Sequence, residues 1–128
     1  MKKVLLVDDQ ARWRKIFKAI LKKSRKDLDI QDCDNTEDTL YTLNNHFFDL
    51  AILDLRLIDT CPYNVEGLDL MREVKAKSSM TKIILTTAYP NQIGERYQEA
   101  DAFILKVPEQ DFDIDSFQET VNRLLDIE

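Results

Sequence analysis

Strand-length segments with nothing polar to offer solvent constrain this chain most. VLLV (4–7), LAIL (50–53), IIL (83–85) and AFIL (102–105) are apolar at every position. A strand of that kind must be covered on both faces, which places it inside a parallel sheet with helices on either side. The intervening segments can supply those helices. Residues 10–24 put Trp13, Ile16, Phe17, Ile20 and Leu21 at helical spacing. DNTEDTLYTLNNHF (34–47) does the same with Leu40, Leu43 and Phe47 on the buried face, and Asp34, Asn35 or Thr36 can cap it. Leu68, Met71 and Val74 mark a third helix after Gly67, and Pro90 to Glu99 can hold a short fourth one. Phe117, Val121, Leu124 and Leu125 form the stripe of a last helix, capped by Asp113 or Asp115. With a weak strand at 29–33, five strands (2–7, 29–33, 49–54, 82–87 and 102–105) alternate with five helices.

Size limits the alternatives. At 128 residues and 44% hydrophobic content the chain has material for one compact domain. Its longest apolar runs fall well short of a bilayer span, and the run at residues 4–7 ends at two aspartates, so neither a membrane helix nor a leader is expected and the cytoplasm is the default location. Cys33 and Cys61 lie far apart without metal-ligand spacing and are expected to be structural thiols. Two glycines and three prolines leave no visible linker or repeat. The net charge of −6 hides a run of eight basic residues without an acid, from Arg12 to Lys26. Because its apolar stripe is needed to cover the sheet, this helix is expected to show a solvated basic face, with docking of an acidic partner as the second use. Direct nucleic-acid binding and membrane insertion are not expected.

In doubly wound sheets ligands bind beyond the carboxyl ends of the strands, where strand order reverses. Asp8 and Asp9 follow the first strand, Asp54 ends the third, Thr87 ends the fourth and Lys106 follows the fifth. Taken singly, the acids could be helix caps, the threonine a strand-end hydroxyl and the lysine a snorkelling cation. Together they make a site. Two carboxylates about 4 Å apart repel by roughly 4 kcal/mol at an effective dielectric near 20, so three need a counter-charge. Oxygen ligands without His or Cys favour Mg²⁺. A hydroxyl and an ammonium beside such a site suit phosphoryl transfer, with Asp54 as candidate nucleophile. His46, at a helix end, is read as a solvated cap.

VLLVDDQ (4–10), FDLAILDLRL (48–57), IILTTAY (83–89) and ADAFILK (100–106), in that order at strand ends, resemble the motifs of response-regulator receiver domains of two-component signalling. The resemblance spans essentially the whole chain. It implies a flavodoxin-like (βα)5 fold with strand order 2-1-3-4-5, and a phosphoacceptor at Asp54. Mg²⁺ would be held by Asp8, Asp9, Asp54 and the backbone carbonyl of Arg56. Thr87, which is followed by Ala88 as in the family, would be the switch hydroxyl, Phe103 the switch aromatic and Lys106 the phosphoryl-binding cation. The expected partners are a histidine kinase or phosphotransfer protein, docking on the basic first helix, and a downstream protein. On this basis residues 1–128 are expected to be a single receiver domain without an output domain, acting as a stand-alone phosphoacceptor and not as an enzyme, monomeric or weakly dimeric. The rival is a phosphorylation-independent adaptor. A phosphatase of the haloacid-dehalogenase kind is disfavoured by Arg56, two residues after Asp54, where a second acid would be needed.

Three departures stand out. Val107 separates Lys106 from Pro108, where the family has proline directly after the lysine. A cis bond before a non-proline residue costs about 3 kcal/mol, so a trans bond and a redirected Lys106 are expected. The segment from Thr87 to Lys106 is shorter than usual by roughly a helical turn, which predicts a short or irregular fourth helix. IDTCPYNVE, from Ile58 to Glu66, is an insertion ahead of Gly67, read first as a surface excursion and second as a lid or partner contact.

Overall fold

A computed structural model of the chain describes residues 2–54, 66–87, 100–107 and 111–126. In chain order these form β1 (Lys2–Val7), α1 (Ala11–Ser24), β2 (Leu28–Cys33), α2 (Thr36–Asn45), β3 (Leu50–Asp54), α3 (Glu66–Lys77), β4 (Lys82–Thr87), β5 (Ala102–Leu105) and α4 (Ile114–Leu125). All paired strands are parallel and the sheet order is β2-β1-β3-β4-β5, the flavodoxin-like arrangement.

Alternation along the central strands divides the core into two layers. Leu5, Val7, Ala51, Leu53, Ile83 and Leu85 face α2 and α3, where Leu43, Leu70, Met71 and Val74 meet them. Val4, Leu6, Leu50, Ile52 and Ile84 face α1 and α4. Those two helices use the same device. Trp13, Phe17, Ile20 and Leu21 of α1 and Phe117, Val121, Leu124 and Leu125 of α4 repeat one i, i+4, i+7, i+8 stripe, and all eight are buried. The caps are those the sequence offers: Asn35 accepts from the Asp38 amide at 2.8 Å, and Asp113 from the Ser116 amide at 2.9 Å.

One core assignment is wrong. Phe47 is 53% exposed, because α2 ends at Asn45 and His46 is its exposed C-cap; Phe48, entering β3, takes the inward place instead. Glu66, assigned to the inserted loop, is the first residue of α3, so Gly67 lies inside that helix. Four helices are seen among the described residues; the helix expected within 90–99 lies outside them, as do the rest of the inserted loop, Arg56 and Cys61. Cys33 is a free, buried thiol.

The basic run behaves as a solvated face. Arg12, Lys15, Lys22, Lys23 and Lys26 are exposed, while Arg14 and Lys18 reach Asp32 and Arg25 reaches Asp27 and Asp126. The hydrogen bond from Arg25 holds the Asp27 carboxyl below its ordinary range. Among the described residues no helix is long and apolar enough to cross a membrane.

Candidate functional site

Sheet order reverses at β1, which lies between β2 and β3, and the carboxyl ends of β1 and β3 bring Asp8, Asp9 and Asp54 together. Each offers a carboxylate oxygen, and these oxygens lie within 4.8 Å of one another. Asp54 is the last residue of β3, in register with Thr86 of β4, so the apolar run delivers the carboxylate to the edge of the sheet. Asp8 is held at four points. Its amide continues the β1–β2 ladder by donating to the Cys33 carbonyl (3.1 Å), and its own carbonyl accepts from Arg14 Nη1 (2.7 Å). Its Oδ1 accepts from the Gln10 amide (2.9 Å) and its Oδ2 from Lys106 Nζ (2.9 Å).

Helix N-capping does not explain Asp8. The N-cap of α1 is Gln10, whose side chain makes no capping bond. Asp8 instead closes a two-residue turn and points into the site, at the positive end of the α1 dipole.

Lys106 crosses from the far side of the sheet. Its ammonium lies 2.9 Å from Asp8 Oδ2 and 3.3 Å from Asp54 Oδ2, and the three side chains are only 3%, 1% and 3% exposed. The redirected lysine expected from Val107 is therefore a correction. The backbone explains it: the Lys106 amide donates to the Thr87 carbonyl (2.8 Å), and the Val107 amide donates to the Leu105 carbonyl (3.1 Å). Proline at 107 would have no hydrogen to give, so valine supplies a different tight turn that still aims the lysine inward.

Thr87 is fully buried at the end of β4. Leu85 pairs with Phe103, and Thr87 is two residues beyond Leu85, so the backbone at Thr87 and Phe103 shares one face. Phe103 is half-buried against the α2/α3 layer. Thr86 lies on the other side, with its hydroxyl 3.5 Å from the Leu53 carbonyl.

Three carboxylates and one ammonium leave a surplus of negative charge in a largely buried cluster. Oxygen donors alone, without His or Cys, fit a hard divalent cation. One oxygen of the set, Asp9 Oδ1, is shielded from solvent and takes no hydrogen bond from the described residues, which is what a ligand atom would look like.

Two contacts escaped the sequence. Arg14 was one cation in a basic run, yet it anchors the Asp8 carbonyl. Trp13 was a core residue, and it is, but its ring centroid is also 5.7 Å from Lys106 Nζ. The available signal was position: Trp13 lies in the first turn of α1, just after the acid pair.

Known proteins resemble this chain in sequence and in fold. The curated sensory transduction proteins LytR of Staphylococcus haemolyticus and Staphylococcus epidermidis are each 28% identical over 123 residues, or 95% of this chain. The chain spans only 44% and 45% of their lengths. The crystal structure of the response regulator TrrA from Thermotoga maritima in complex with Mg²⁺-BeF is 29% identical with a TM-score of 0.78, covering 98% of this chain and 100% of that one. A complex of the histidine kinase ThkA with TrrA contains a chain 31% identical with a TM-score of 0.76, covering 98% and 99%. The receiver domain (CheY-like) from Methanospirillum hungatei is 26% identical with a TM-score of 0.79, covering 98% and 94%. The model of the response regulator receiver domain matches residues 4–115. With a five-stranded sheet in 2-1-3-4-5 order and an acid cluster at its switch point in agreement with that match, this chain belongs to the response-regulator receiver domains of two-component signalling.

Proposed function

We propose that Asp54 is a phosphoacceptor, phosphorylated by a histidine kinase or phosphotransfer protein, and that the chain signals through the surface this modification changes. The observation that carries the proposal is the buried Lys106 ammonium between Asp8 and Asp54, beside a cluster of three carboxylates. An Asp54 carboxylate oxygen attacks the phosphorus of a phosphorylated imidazole. The new O–P bond gives an aspartyl phosphate as the P–N bond breaks, and the imidazole leaves with the electron pair and takes up a proton. Lys106 moves its charge to the phosphoryl oxygens. Thr87 donates its hydroxyl to the same group, and Phe103, on the same face, follows it. Asp8, Asp9 and Asp54, with the carbonyl of Arg56, would hold Mg²⁺. When bound, the ion neutralises developing charge on the phosphoryl oxygens. The neighbouring structure of TrrA with Mg²⁺-BeF supports this reading of the cluster.

The complex of TrrA with ThkA supports a kinase as partner. The exposed cations of α1 suit an acidic docking surface, and transfer between the proteins should slow as ionic strength rises. The rival adaptor reading rested on Val107 after Lys106 and on an altered fourth helix; the ammonium at 2.9 Å from Asp8 weighs against the first, and the second lies outside the described residues. The deciding experiment is Mg²⁺-dependent binding of beryllofluoride, or labelling by a small phosphodonor, compared with Asp54→Asn. Binding by the unmodified protein and not by the variant is expected; no response from the unmodified protein refutes the proposal.

A further inference from the structure

We infer that Trp13 is a positioning residue for Lys106, a rigid aromatic wall that keeps the lysine ammonium over Asp54. This rests on the phosphoacceptor reading above and adds to it a residue outside the acid cluster. A lysine side chain has four rotatable bonds and loses rotamer freedom when fixed, so holding its charge at one point needs contacts on more than one side. Two are the Asp8 and Asp54 carboxylates at 2.9 and 3.3 Å. Another is the ring of Trp13, whose centroid is 5.7 Å from Nζ, within the range in which an indole face attracts a cation.

The wall itself does not move easily. Trp13 is buried, with its ring 5.4 Å from Phe17 and 5.6 Å at an edge-on angle from Phe112; Phe17 and Phe112 in turn meet Phe117. The four rings tie the first turn of α1 to the start of α4. Lys106 is thus a flexible cation pressed against a fixed surface.

This matters because the carboxylate contacts cannot all persist. Ammonium and metal ion would compete for oxygens of Asp8 and Asp54, and a phosphoryl group on Asp54 would draw the ammonium away from Asp8. The ring carries no formal charge and makes no such exchange. It is the contact that survives each state, and it limits how far Lys106 can swing as the others are given up. A side chain of the same bulk without a π face would fill the core and leave the cation unguided.

The test has two arms. In the metal-free protein, urea unfolding followed by circular dichroism is measured for the unmodified chain, Trp13→Leu, Lys106→Met and the double variant. Non-additive midpoint shifts are expected, with Trp13→Leu costing less once Lys106 is gone; additive shifts overturn the inference whatever becomes of the phosphoacceptor reading. In the second arm, beryllofluoride affinity at saturating Mg²⁺ is compared with affinity for Mg²⁺ alone, the bound fluoride being observed by ¹⁹F NMR. Trp13→Leu is expected to weaken beryllofluoride binding about five- to tenfold while changing Mg²⁺ affinity less than about twofold. Trp13→Phe, which keeps a weaker π face, should recover part of the loss. Equal losses for Mg²⁺ and beryllofluoride, or no loss for either, overturn the inference. If the unmodified protein binds no beryllofluoride at all, the phosphoacceptor reading falls, and the unfolding cycle alone decides whether Trp13 holds Lys106. Trp13 is the sole tryptophan, so its emission gives a direct check: removing the ammonium in Lys106→Met should change it in the metal-free protein.

Discussion

Replacing Lys106 by methionine keeps the length and burial of the side chain and removes only its charge. At 2.9 and 3.3 Å, and with an effective dielectric near 20, each of the two carboxylate contacts attracts by roughly 5 to 6 kcal/mol before desolvation is subtracted. Desolvation of three nearly sealed groups cancels much of that. Removing one partner of such a buried set costs about 3–5 kcal/mol, because the charges left behind are uncompensated. Against a total stability of order 5–15 kcal/mol this is a large fraction, and the variant should unfold about 10–20 °C lower. Mg²⁺ should reverse much of the loss. The carboxylates stranded by the substitution are the proposed metal ligands, and the ammonium no longer competes for them. Metal affinity should therefore rise about tenfold or more, equivalent to about 1.4 kcal/mol of added linkage. Thermal unfolding with and without Mg²⁺, and direct metal titration, measure both effects. A variant as stable as the unmodified chain in metal-free buffer, or one whose midpoint Mg²⁺ raises no more than it raises that of the unmodified chain, would refute the electrostatic account of the site.

Other expectations follow from the packing. Phe47→Ser, at an exposed position, should change stability by no more than about 0.5 kcal/mol, whereas Phe48→Ser should cost about 3 kcal/mol or more; equal costs in denaturant titrations would mean Phe47 is core after all. Asp113→Ala should cost about 1 kcal/mol by freeing the Ser116 amide, and Asp113→Asn should restore most of it. Asp27 gives a pH signature. Its carboxyl is held below its ordinary value by the Arg25 hydrogen bond, so its contribution is present above the unfolded pKa of about 3.9 and disappears as pH falls through the lower folded value. Asp27→Asn should flatten the acid limb of the stability profile below about pH 4, and an unchanged limb would count against the ion pair.

The fold was legible because burial imposes a period. Val4 to Val7 and Leu50 to Leu53 could only be central strands, and the stripes of α1 and α4 could only cover them. The acid cluster was legible because Asp8, Asp9 and Asp54 fall at strand ends whichever way the helices pack. Phe47 was misassigned because α2 stops two residues short of it, and helix ends depend on caps and on the following strand more than on period. Lys106 was placed at the site from the sequence, but its aim was tied to one missing proline, whereas backbone hydrogen bonds from Lys106 and Val107 form the turn that directs it.

The sequence by itself determined most of the core, the order of the described strands and helices along the chain, and which charged groups would gather beyond the carboxyl ends of the strands. These follow from hydrophobic period and from the geometry of a parallel sheet, both of which are local. Only the tertiary structure decided that Lys106 reaches Asp8 across 98 positions of sequence, that Arg14 anchors the Asp8 carbonyl, and that the ring of Trp13 stands beside the ammonium. Those contacts join elements that no local pattern relates. Their distances are set by how α1, β5 and the start of α4 settle against the sheet, through the summed packing of the two core layers.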